Sequence, residues 1–359
     1  MLRSALPALA LLVLAASCTR AANTADEAAP ASDTGVATVP GDSGLVTEMA
    51  VPGPMEGLSL LGDTLWRPAV ADAARERLEN ALRDAERGVQ AAPNDPDSLI
   101  WLGRRLAYLG RYREAVATFS RGIEQHPNDA RFRRHRGHRF LTLRDMDPAI
   151  ADFVKAAELE RGRRDAIEPD GAPNAANIPL STTQYNSWYH LGLVHFLRGD
   201  FSAALKAYDE CLKVSLNPDL KVATAYWRYM TLHRLGREAD ARASIAFAGD
   251  SIALIENDGY LDLLRLFRGD VDVASVMPPT PAGTMDVANS TTAFGVSMWH
   301  QLNGRQEQAR EIQTQIVAGG QWAAFGSLAA EAELARARKG KDVGVLSNRT
   351  DDPSARARE

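Results

Sequence analysis

Residues 101–127 read WLGRRLAYLGRYREAVATFSRGIEQHP, and this stretch decides the fold. Apolar side chains return at three- and four-residue steps on both sides of Gly110, the pattern of two amphipathic helices. Gly110 sits where the first helix would end in a left-handed residue, and Pro127 stops the second. The pattern then recurs. Pro93 and Pro127, Gly103 and Gly137, Ala115 and Ala149, and Phe119 and Phe153 are each 34 positions apart. Gly103 and Gly137 lie in first helices, where a side chain would hold the second helix away. Ala115 and Ala149 are their small counterparts, and the aromatic rings fill the space between neighbours.

A 34-residue step with these residue types resembles the tetratricopeptide repeat (TPR). The first unit carries Leu102-Gly103, Gly110, Tyr112, Ala115, Phe119 and Pro127. The next carries Gly137, Phe140, Ala149, Phe153 and Ala156. A third carries Trp188, Leu191-Gly192, Gly199, Phe201, Ala204 and Tyr208. Tyr229, Gly236, Ala241 and Ala248 mark a fourth, and Ala293, Gly304 and Ala309 a weak fifth. Ala81, Gly88 and Pro93 resemble the second helix of a leading repeat. The resemblance implies an all-α, right-handed TPR-type helical solenoid of about 4–6 helix pairs over residues 59–338. One pair cannot bury its apolar face, so the pairs must stack. Residues 101–137 and 185–199 also resemble a set of bacterial TPR proteins with a similar insertion, which implies fold and no biochemical role. Cys211 falls at a small buried position and reads as an inert thiol. Ala329 to Ala337 reads as a final helix whose Glu and Arg residues face water and cap the array. Residues 339–359 read as a disordered tail.

Two stretches break the period. Gly137 and Gly192 are 55 apart, 21 more than one repeat, so a loop is inserted near 161–184. Insertions of this kind fall on one face and can fold over a groove as a lid. Residues 250–290 depart from the pattern altogether.

The N-terminus is an address. Residues 1–17 combine a basic start, an apolar run from Ala5 to Ala16 and small residues before Cys18. Leu14-Ala15-Ala16-Ser17-Cys18 resembles the bacterial lipobox, which implies lipidation at Cys18. Thr19 in place of Asp implies the outer membrane, with the protein facing the periplasm. Residues 18–58, rich in Ala, Gly, Pro, Ser and Thr, read as a flexible linker. Gly41-Asp42-Ser43-Gly44 matches a string around serine-protease nucleophiles, but it lies in this linker without His and Asp partners.

First helices line the inner face of such a solenoid. The register places Arg104, Tyr108, Arg131, Arg134, His138, Asn186, Tyr189, Tyr226, His233 and Arg234 there. Arg binds carboxylates through paired hydrogen bonds, and Tyr supplies contact area at low entropic cost. A peptide groove for an acidic or C-terminal protein segment is therefore expected, although the whole chain has 46 acidic against 41 basic residues. Residues 131–139 hold five Arg and two His. Their charges go all round the helix, and a weakly acidic envelope protein has no sequence-wide grip on nucleic acid. His135 with His138, and His190 with His195, have metal-like spacing but no Cys or carboxylate to complete a site. No phosphate-binding loop, dinucleotide fingerprint or zinc-protease pair occurs. The expectation is a non-enzymatic envelope adaptor without cofactor. The alternatives are a structural subunit of an envelope assembly, or an enzyme using Asp250, Glu256, Asp258 and Asp262.

Overall fold

The crossing glycines set the packing. A Cβ on Gly103 would stand 2.4 Å from the Phe119 ring, one on Gly137 3.1 Å from Phe153, and one on Gly192 2.5 Å from Tyr208. At Gly103 and Gly192 a side chain could not fit without moving the facing ring, and at Gly137 it would crowd the ring closely. The computed structural model describes residues 53–169, 171, 173–249, 251–278 and 289–340. The leader 1–17, Cys18, the linker up to residue 52, Asp250, Pro279 to Pro281 and the tail beyond 340 lie outside it.

Among the described residues the chain is almost all helical. A hairpin of β1 (Met55–Leu58) and β2 (Thr64–Trp66) comes first, followed by α1 (Asp72–Ala91). Helix pairs follow: α2 (Pro96–Tyr108) with α3 (Tyr112–Gln125), α4 (Ala130–Thr142) with α5 (Met146–Glu160), and α6 (Thr183–Arg198) with α7 (Phe201–Val214). Next come α8 (Pro218–Arg234) and a short α9 (Glu238–Ser244). The stretch that departs from the repeat holds α10 (Asp258–Arg268) and α11 (Val273–Val276). The last pair is α12 (Ser290–Leu302) with α13 (Gln306–Ala318), followed by α14 (Phe325–Arg338).

First and second helices start differently, for a physical reason. Asp95, Asp129, Thr182, Asn217 and Asn289 accept a backbone N–H at the starts of α2, α4, α6, α8 and α12. The second helices α3, α5, α7, α9 and α13 have no side-chain cap. They follow a tight left-handed turn that already ties the chain back: Arg111 N–H donates to Leu106 O, Asp200 N–H to His195 O and Arg237 N–H to Leu232 O. Gly110, Gly199 and Gly236 supply the positive φ. In the second repeat the same place belongs to Arg144, φ 68°.

Two expectations are corrected. The linker does not extend to residue 58, because β1 is part of the folded body. Its Glu56 is buried, accepts from the Arg67 guanidinium at 2.8 Å and takes the Arg113 backbone N–H at 3.0 Å. The described residues 251–278 depart from the repeat, as their sequence does. Asp219 gathers the backbone N–H groups of Ile255, Glu256 and Asn257, and α10 then packs on α8 and α12. Second, α14 is no water-facing cap. Phe325, Leu328, Ala329, Ala330 and Ala332 are buried, and so are Glu331 and Glu333. The helix lies against α6, α12 and α13. Its acids are inside because Arg144 pairs with Glu331 at 2.6 Å and Arg234 with Glu333 at 3.1 Å.

Candidate interaction face

The face built from α2, α4, α6 and α8 is covered by its own chain. Arg104 Nη1 donates to the Pro169 carbonyl at 2.7 Å, and its Nη2 donates to Tyr108 Oη at 3.1 Å. Arg134 Nη2 lies 3.1 Å from Glu168 Oε1, and Asn186 Nδ2 donates to Glu168 Oε2 at 2.9 Å. One inserted carboxylate thus gathers side chains from two successive first helices, and the residue after it satisfies a third.

His135 completes this cluster. Arg134 Nη1 is 2.8 Å from His135 Nδ1, and a guanidinium only donates, so Nδ1 accepts. The ring is therefore the neutral Nε2–H tautomer, and that nitrogen faces Glu168 Oε1 at 3.4 Å. Burial, then the nearby Arg134 charge, holds the His135 pKa well below its usual value. Burial and the Arg139 charge do the same to His138.

Further along the face, α14 covers His138 and His190, and α10 covers Tyr189 and Tyr226. The His138 ring lies 4.5 Å from His190 and 5.4 Å from Phe325. Tyr189 Oη accepts from Trp227 Nε1 at 2.8 Å and lies 3.2 Å from Tyr260 Oη. Tyr226 packs on Trp227 and Tyr260, both with ring centroids 5.1 Å away. His233 packs on Tyr229 at 4.6 Å. The expected open groove is therefore corrected. Arg104, Arg134, His138, Asn186, Tyr189 and Tyr226 are buried, and Tyr108, His233 and Arg234 are half-buried. The register identified first-helix positions; it had no means of seeing that distant segments would fill the space in front of them. Glu168, Glu331, Glu333 and Arg144 went unread. Arg144 alone left a signal, since it stands 34 residues after Gly110 where a glycine belongs.

Arg131 stays accessible, with 38% of its side chain exposed and Asp129 and Asp97 as partners at 2.7 and 2.6 Å. It borders an open cavity of about 510 Å³, where Glu160, Arg163, Arg164, Asp165 and Gln184 also line the wall. Burial, then the charges of Asp165 and Glu168, pushes the Glu160 carboxyl up to about 7. The Cys211 thiol is buried beside Thr224 Oγ1 at 3.4 Å, and burial raises it to about 12, so it is no thiolate at neutral pH. Among the described residues no group of three or more His, Cys, Asp and Glu could hold a metal ion. No described helix is long and apolar enough to cross a membrane.

Comparison with known proteins places the repeats. Tetratricopeptide repeat family models match residues 72–136, from α1 into α4, and 185–218, over α6 and α7. Tetratricopeptide repeat protein 13 of Homo sapiens is 28% identical over 135 residues, which is 38% of this chain and 13% of the human protein. The chain thus spans a small part of that relative. Among solved structures, a tetratricopeptide repeat protein from Parabacteroides merdae is 12% identical, covering 72% of this chain and 94% of its own, with a TM-score of 0.43. PilW, a type IV pilus biogenesis factor, is 14% identical over 68% of this chain and 87% of its own, at 0.41. YrrB, a TPR protein with an unusual peptide-binding site, is 13% identical over 72% of this chain and all of its own, at 0.38.

Proposed function

Because the chain is a tetratricopeptide-repeat protein, we propose that it is a non-enzymatic interaction adaptor that receives an acidic protein segment on its first-helix face. The observation that carries this reading is the chemistry of that face. Arg134, Arg144 and Arg234 hold the carboxylates of Glu168, Glu331 and Glu333 of the same chain. A surface whose own covers are acidic selects acidic partners. Arg131, Arg163 and Arg164 at the neighbouring cavity offer the accessible edge where a partner would first engage.

Lipidation at Cys18 would hold this adaptor on the cell envelope, at the outer membrane and facing the periplasm. Two or more acyl chains are needed for stable anchoring. The flexible linker would let the folded body stand away from the bilayer.

The test is affinity capture from solubilised membranes with three forms of the chain. Wild type is expected to retain a partner through high-stringency washes that Arg131→Glu with Arg164→Glu loses. Lys155→Glu, on the exposed side of α5, should behave as wild type. Cys18→Ala should move the protein out of the membrane fraction. Equal capture by the wild type and the double reversal would remove the proposed face.

A second reading rests on exposed apolar side chains away from this face. Leu216 is 73% and Phe247 46% exposed. A structural subunit of an envelope assembly would bury them against a neighbour. Leu216→Glu with Phe247→Glu would then abolish the assembly and leave capture through Arg131 intact.

A further inference from the structure

We propose that the insertion is a strap seated in the interaction face as a built-in ligand, with Glu168 holding the place that a partner's carboxylate takes when the strap leaves. This rests on the adaptor reading and adds to it how the site is kept closed.

The strap is held as an extended peptide would be held. Arg134, His135 and Asn186 converge on one carboxylate, and Arg104 takes the carbonyl of the next residue, Pro169. Arg105 Nη1 reaches the Gly171 carbonyl at 3.2 Å. These are backbone carbonyls and a single acid, groups that any acidic segment in the same pose would present. The strap gives little apolar anchorage in return. Ile167 and Ile178 are 63% and 46% exposed, and among its described apolar residues only Leu180, where the arm rejoins α6, is buried.

The cover at α14 differs in kind. The apolar side chains of α14 are buried along its length, so leaving would expose a continuous face that no acidic segment could replace. The polar contacts of the strap can be replaced one for one.

The base of the strap stays latched by its own bonds. Ile167 bridges Thr182, Thr182 Oγ1 donates to Asp165 Oδ2 at 2.6 Å, and Gln184 N–H donates to Asp165 Oδ1 at 3.2 Å. Glu168 N–H belongs to this latch, donating to Ser181 O at 3.0 Å, so its carboxylate leaves by side-chain rotation, while the tip beyond it swings without unravelling α6 once Asn174 Nδ2 releases Glu256 Oε2 at 3.1 Å. Simple opening is unfavourable, because it would leave the buried Arg134 guanidinium short of its carboxylate. Exchange against an incoming carboxylate avoids that penalty. The strap is thus a gate that acids open and apolar or basic segments do not.

The probe is a synthetic, fluorescein-labelled peptide with the sequence of residues 163–182, added to a chain whose residues 167–180 are replaced by a Gly-Ser linker. The strapless chain is expected to bind the peptide. Wild type should bind at least tenfold more weakly, since its tethered strap competes at high effective concentration. A peptide carrying Glu168→Gln should also lose at least tenfold. A folded strapless chain that ignores the peptide, or a wild type that binds it equally well, overturns the proposal. If the strapless chain does not fold, full-length Glu168→Gln is examined by hydrogen exchange. Amides of 173–180 should then exchange at least tenfold faster while those of α14 stay protected. Unchanged exchange at 173–180, or equal loosening of both segments, overturns the proposal just as well. No outside partner enters these assays, so their failure removes the strap and leaves the adaptor, whereas failed capture removes the adaptor and, with it, the partner that would displace the strap.

Discussion

Arg144 occupies a backbone conformation, φ 68°, that the same turn in the neighbouring repeats gives to glycine. The left-handed region costs a residue with a side chain about 1–2 kcal/mol. Its guanidinium meets Glu331 with both side chains 3% exposed, and reaches the Trp322 carbonyl at 2.8 Å. Removing one partner of a buried pair costs about 3–5 kcal/mol, more than the strain. Arg144→Gly is therefore expected to lower stability in urea denaturation by about 2 kcal/mol, the difference between these terms. A neutral or stabilised variant would show that the pair does not justify the strain. Glu160 gives a residue-scale expectation with a pH sign. Its folded pKa of about 7 lies above the ordinary 4.5. Between those values the folded state holds the proton and the unfolded state has lost it, so stability falls as pH rises through that window. The buried His135 and His138 act in the opposite sense, since their depressed pKa values cost stability as pH falls below about 6.5. Comparing Glu160→Gln with wild type isolates the carboxyl. The variant should gain up to about 3 kcal/mol on wild type between pH 4.5 and pH 8. A pH-independent difference would mean that Glu160 is solvated after all.

At the scale of the element, α14 depends on close approach at its start. A Cβ on Gly326 would stand 2.1 Å from the Ser290 carbonyl oxygen, a backbone atom at the start of α12. No side-chain rotation relieves that contact, so the helices must separate. Gly326→Ala is expected to cost about 1–3 kcal/mol or more and to raise hydrogen exchange in α14 before α3 or α5. Unaltered protection would mean that α14 is held elsewhere. The same helix shows where the sequence was legible. The 34-residue step revealed the pairs from α2 to α7, because each repeat fixes a glycine, an alanine and an aromatic in the same local geometry. It misread α14, because Glu331, Glu333 and Arg336 look like surface residues until distant arginines neutralise them. It missed β1 and β2 because four and three residues are too short to show a period of two. An insertion was plain from the broken spacing, although α6 begins at Thr183, inside the expected 161–184. The role of Glu168 was not, since a loop contact across the fold leaves no periodic trace.

At the scale of the whole molecule, the described part departs from a simple solenoid. In a stack where each repeat touches only its neighbours, stability is a sum of local terms and the ends fray first. Here the ends are joined. Leu60 N–H donates to Glu331 Oε1 at 2.5 Å, and Trp322 Nε1 donates to the Trp66 carbonyl at 2.9 Å, so the N-terminal hairpin rests on the C-terminal segment. Through α14 the same segment reaches the turn after α4 at Arg144, α6 at the Leu197 carbonyl and α8 at Arg234. A contact set that skips repeats couples them, and coupled units unfold together. Urea unfolding followed by near-ultraviolet circular dichroism and by Trp fluorescence is therefore expected to give one coincident transition. Ending the chain at residue 320 removes α14 and should lower the midpoint for every repeat, including α2 and α3, which α14 does not touch in sequence order. A truncated chain in which α2 to α5 keep their hydrogen-exchange protection, while only α12 and α13 loosen, would mean that stability is local and that the closure carries no weight.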